Sequence, residues 1–125
     1  MKKNYDAEIK ELITKLSKNK SILAIYLFGS YLENFRPMSD IDFCIIGQLN
    51  KTQKKKILRD FSEKFDISFF DELPITIKIK VFSEGKELFS RNEEKIHNLK
   101  WETLYQYREI APFIQKRINS MFQNA

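Results

Sequence analysis

The run Ile22-Leu23-Ala24-Ile25-Tyr26-Leu27-Phe28-Gly29-Ser30, followed by Asp40-Ile41-Asp42-Phe43-Cys44-Ile45-Ile46-Gly47, decides how this chain folds. Residues 22–28 form an unbroken apolar stretch too short for a solitary helix, the pattern of a central strand covered on both faces. Gly29-Ser30 ends it, and Ser30 is placed to cap a short helix reaching about Phe35. Residues 40–46 read as a second strand ending at Gly47. Successive strand side chains alternate faces, so Asp40 and Asp42 share one side. Ile41, Phe43 and Ile45 take the other, where a core needs them.

Outward from this pair, the elements alternate. Ile9, Leu12, Ile13 and Leu16 recur at helical spacing over 6–18. Residues 50–63 carry Ile57, Leu58 and Phe61 among lysines, as a surface helix does. Phe65-Asp66-Ile67-Ser68-Phe69-Phe70 alternates as a third strand. Beyond Pro74 the alternation of Ile75, Ile77, Ile79 and Val81 competes with the helical spacing of Ile75, Ile79 and Phe82. A helix begun by Pro74 and ended by Gly85 is the expectation. A short strand over Lys86–Phe89 follows. Ser90-Arg91-Asn92-Glu93 has the spacing of a capping box, opening a long C-terminal helix that Pro112 should break. The whole predicts a single α+β domain over residues 1–125, with a small mixed sheet flanked by helices. Its core spans about 20–90, and a helical segment covers about 91–122.

Composition bounds the function. The chain has 125 residues, 42% hydrophobic, with a net charge of +5. No apolar run is long enough to span a membrane, and the N-terminus lacks the apolar stretch of a signal peptide, so a cytoplasmic protein is expected. One cysteine, Cys44, forms no intramolecular disulfide and no cysteine-rich zinc site. The lysine run Lys51, Lys54, Lys55 and Lys56 has no interleaved aromatics and reads as a solvated helix face. Nucleic acid is therefore not the expected substrate.

The chemistry gathers between residues 29 and 66. Asp66 and Ser68 share one strand face, opposite Phe65, Ile67 and Phe69. If the second and third strands are neighbours, Asp40, Asp42 and Asp66 converge on one face, where like charges call for a cation. Oxygen ligands without His or a Cys pair select Mg²⁺, or Mn²⁺, over zinc. Gly29-Ser30, at a strand-to-helix junction, suits the close approach of a phosphate. Asp71, a rival third carboxylate, sits at the strand end with the wrong parity. His97 belongs on a polar helix face. Cys44 shares parity with the carboxylates and is expected as a small buried hydrophobe. Trp101, Tyr105, Tyr107 and Phe113 are expected chiefly in the core, with a partner-binding face as the lesser reading.

Leu27-Phe28-Gly29-Ser30 followed by Ser39-Asp40-Ile41-Asp42-Phe43 resembles the signature of the DNA polymerase β-like nucleotidyltransferase superfamily. The size, Phe65–Phe70, Leu73-Pro74 and Glu84–Phe89 resemble its minimal members, the antitoxins encoded beside HEPN-domain toxins. The resemblance implies two Mg²⁺ ions and transfer of AMP from ATP to a tyrosine hydroxyl of the toxin. Gly29 and Ser30 would then hold the nucleotide phosphates. Asp40 and Asp42 would ligate both metals, and Asp66 the one that activates the acceptor, with Asp66 also taking the acceptor proton. After Gly29-Ser30 this chain reads Tyr31-Leu32-Glu33-Asn34, without a cation; Arg36 is the nearest substitute. Other functions compatible with the sequence are a non-catalytic module that neutralises its partner by binding, and transfer to a small molecule, for which a homo-oligomer would supply the acceptor site.

Overall fold

The computed structural model describes residues 6–28, 41–109 and 121–122. Helix α1 (Asp6–Leu16) leads into β1 (Ile22–Phe28); β2 (Asp42–Gly47) is followed by α2 (Lys51–Phe61) and β3 (Asp66–Phe69). A 3₁₀ turn (Phe70–Glu72), α3 (Ile75–Glu84), β4 (Lys86–Ser90) and α4 (Glu93–Arg108) complete the order. The sheet runs β3-β2-β1-β4, so the two apolar strands are its interior pair. β1 is antiparallel to β2 and to β4, whereas β2 and β3 are parallel. A parallel pair needs a long crossover, and α2 provides it.

Strand alternation splits the core between the two faces. Ile25, Leu27, Phe43, Ile45 and Phe69 pack with Leu12 and Leu16 of α1 and Ile57 and Phe61 of α2. Ala24, Tyr26, Cys44 and Ile46 pack with Ile79 and Phe82 of α3 and Ile96 of α4. A register irregularity between Ile22 and Ala24 explains why Ile22 and Ile25 face the same layer. The helical spacing after Pro74 prevails over the strand-like alternation, because Ile79 and Phe82 must meet the core from one helix face. No described helix is long and apolar enough to cross a membrane.

Strand ends shift by a residue or two from the sequence reading, with Phe70 in the 3₁₀ turn and not in β3, and the start of α4 shifts for a traceable reason. α4 is capped by Asn92, whose side chain accepts from the Lys95 N–H at 3.1 Å, and not by Ser90. Ser90 pairs with Ala24 as the last residue of β4, and the Arg91 N–H donates to the Leu23 carbonyl at 2.8 Å. Sheet pairing keeps this backbone extended two residues past the expected cap. The reciprocal capping box occurs at α2 instead, between Asn50 and Gln53. The expected break at Pro112, the short helix after Ser30 and the placement of Phe113 lie outside the described residues.

The β1-start end of the sheet is tied down. The Arg91 guanidinium donates to the carbonyls of Ser17 (2.6 Å), Ile22 (3.0 Å) and Asn19 (3.2 Å), fastening the α1–β1 connection to the end of β4. Beside it, a Cβ on Gly47 would collide with the Ser21 carbonyl and crowd Ile22. Gly47→Ala is therefore expected to lose about 1–3 kcal/mol of stability by overpacking against backbone. A lowered urea midpoint with unchanged denaturant slope would show it.

Candidate functional site

Asp42 opens β2 and Asp66 opens β3, and the two are register partners in the parallel pair. Strands in a sheet lie about 4.8 Å apart, so the two carboxylates project side by side on one face. The Asp66 N–H donates to the Ile41 carbonyl at 3.0 Å and fixes where the pairing starts. Behind Asp66, Phe65 meets Phe43 edge to face at 5.0 Å, and both are buried in the α1–α2 layer. The aromatic residues thus fill one face while the acids take the other. Phe28, the last residue of β1, pairs with Asp42 on its other side. Asp42 is half-buried and Asp66 exposed.

The next row inward on this face is Ser68, Cys44 and Tyr26, by the same register. Cys44 is fully buried, and that burial pushes its thiol up to about 12. It is the small buried hydrophobe the sequence implied and no thiolate ligand. The Tyr26 hydroxyl donates to Glu87 of β4 at 3.2 Å. Desolvation chiefly, with a hydrogen bond to Glu93, holds the Glu87 carboxyl above its ordinary range.

Other candidates fall away from the pair. Asp71 sits in the 3₁₀ turn at the opposite end of β3, paired with Lys54 at 3.0 Å. His97 is exposed on α4, accepts from the Trp101 indole N–H at 3.1 Å, and touches Phe122. Trp101 and Tyr105 are not core residues as expected: they are 38% and 59% exposed, with Trp101 stacked on Phe122 at 4.6 Å. The faces of α4 that turn inward are supplied by Ile96, Thr103 and Leu104. Gly29, Ser30, Arg36 and Asp40 lie outside the described residues. Among the described residues no three His, Cys, Asp or Glu side chains cluster as a complete metal site. The donors that do meet, Asp42 and Asp66, are hard oxygens, and the nearby thiol is protonated, so the set suits Mg²⁺ or Mn²⁺ and not a soft metal.

Residues 10–94 match the family model described as polymerase beta, nucleotidyltransferase. A protein of Methanocaldococcus jannaschii named as a protein adenylyltransferase is 34% identical over 98 residues, covering 78% of this chain and 75% of the relative. Among solved structures, a toxin–antitoxin complex with AMP-PNP aligns with TM-score 0.68 at 19% identity, over 93% of this chain and 97% of that one. A complex of tri-AMPylated Shewanella oneidensis HEPN toxin with its MNT antitoxin aligns with TM-score 0.62 at 20% identity, over 95% and 97%. At those identities the likeness is one of fold.

Glu87 also provides a test of the packing beside the pair. A carboxyl whose folded pKa is raised stabilises the fold below its unfolded value, near 4.5. That contribution is lost as pH rises through the folded value. Glu87→Gln, which still accepts from Tyr26, should therefore gain on the parent protein as pH rises from about 4 to 8. The difference between their urea midpoints across that range is the measurement.

Proposed function

The chain belongs to the polymerase beta nucleotidyltransferase family, and from that premise we propose that it transfers AMP from ATP to a hydroxyl group of a partner protein. The observation that carries this reading is the register pairing of Asp42 with Asp66 at one open end of the sheet. In this reading Asp40, two residues before Asp42 on the same strand parity, is the third carboxylate. The catalytic core is residues 20–90 of a single domain over 1–125.

Two Mg²⁺ ions held by Asp40, Asp42 and Asp66 would supply positive charge against the α-phosphate and the departing pyrophosphate. Gly29 and Ser30 bind the triphosphate and orient its α-phosphorus. Asp66, the more exposed of the described pair, takes the proton of the attacking hydroxyl. The acceptor oxygen bonds to the α-phosphorus, the bond from that phosphorus to the bridging oxygen breaks, and pyrophosphate leaves.

A protein acceptor is supported by three things. The M. jannaschii relative is named for protein adenylyltransferase activity. The chain shares its fold with an antitoxin solved beside an AMPylated HEPN toxin, which makes such a toxin, through its tyrosine, the acceptor we propose. Trp101 and Tyr105 also give α4 exposed aromatic area of the kind enriched at protein interfaces.

With α-labelled ATP, Mg²⁺ and a HEPN-type protein that binds this chain, label is expected on the partner. Asp42→Asn and Asp66→Asn should each lower transfer by at least about a hundredfold, the scale of losing one group that stabilises transition-state charge. Their folds should stay intact, because either change relieves like-charge repulsion. Full activity in Asp42→Asn would overturn the mechanism. A stable complex without label would favour neutralisation by binding alone.

A further inference from the structure

Strand β3 closes one side of the sheet with its outer edge open. Because the Asp66 N–H points to β2, strand alternation turns the N–H and C=O groups of Ile67 and Phe69 outward. No described residue pairs with that edge. Helix α2 runs beside it and leaves a cleft of about 390 Å³, with Leu58, Ile67, Phe69 and Leu73 as its apolar lining and Lys51, Lys54, Lys55 and Glu72 among its polar lining.

This polar lining already takes carboxylates. Lys54 binds Glu72 at 2.7 Å and Asp71 at 3.0 Å, and these bonds hold its ammonium above the ordinary lysine range. Lys51 and Lys55 stand one turn apart on the same helix face, and neither has a carboxylate partner among the described residues. They occupy the first two turns of α2, where the helix dipole is positive and no acidic residue offsets it. Two like charges in that position disfavour the helix that carries them. An anionic occupant would reverse that effect.

We infer that this cleft docks an extended acidic segment of a partner protein, which joins the sheet as a further strand on β3. The open edge supplies main-chain hydrogen bonds, which demand an extended backbone. The lysines demand carboxylates, and Leu58, Ile67 and Leu73 demand apolar side chains between them. The inference stands apart from catalysis, since neither Asp42 nor Asp66 lines the cleft, and Ile67 and Phe69 lie on the strand face opposite Asp66.

The probe is a fluorescent octapeptide with the repeat Glu-Glu-Val-Val, which puts an acid and an apolar group on each strand face. Controls are its lysine counterpart and a version N-methylated at every residue, which keeps the charge but removes the backbone donors from both strand edges. Saturable binding of the acidic peptide is expected, with slowed hydrogen exchange at the Ile67 and Phe69 amides. The double variant Lys51→Gln, Lys55→Gln should bind roughly tenfold more weakly, as loss of two favourable charges implies. Equal binding of the N-methylated peptide, or no binding of the acidic one, would overturn the proposal and leave the lysines as guards of an open edge. Protection of the same amides by self-association, without peptide, would also overturn it.

Discussion

Everything at the candidate site depends on the register between β2 and β3. Because side chains alternate with a period of two, a slip of one residue would put Phe65 or Ile67 beside Asp42 and drive Asp66 into the α1–α2 core. The phenylalanines forbid it. Phe65 and Phe69 are buried in that core, and Phe65 contacts Phe43 of the neighbouring strand. Burying such side chains is worth about 1.5–3 kcal/mol each, far more than any preference of an exposed aspartate for one side. The apolar face therefore positions the acids, which have no means of aligning themselves.

That alignment creates an electrostatic demand. Asp42 and Asp66 are held next to each other by the backbone ladder, at the open end of the sheet. Two carboxylates fixed side by side raise the cost of ionising both, and a divalent cation between them would lower it. The buried, protonated Cys44 behind them keeps that demand one for hard oxygen chemistry.

The strands, the helix after Pro74 and the shared face of Asp66 and Ser68 were legible in the sequence, since each follows from a period of two or of 3.6 residues in apolar side chains. Periodicity is local, however. It could not tell that Ser90 would be held in β4 by Ala24, so it placed the start of α4 two residues early. Nor could it separate the outer from the inner aromatics of α4. Trp101 and Tyr105 lie four residues apart, a spacing that suits either face, and only the packing of Ile96, Thr103 and Leu104 decides which one is buried. The Asp42–Asp66 pairing was legible only conditionally, because strand adjacency is a property of topology.

The two ends of the sheet divide the labour. At the end where β1 starts, β2 finishes and β4 finishes, Arg91 gathers three carbonyls and Gly47 admits the Ser21 backbone at close range. At the other end, β1 finishes while β2 and β3 begin with Asp42 and Asp66. Repulsion between carboxylates acts to open the end where they lie. It is tolerated because the closures sit at the opposite end and the aromatic layer underneath does not depend on the acids. A site built this way can be charged and open to a substrate, while the packing that sets its geometry remains closed to water.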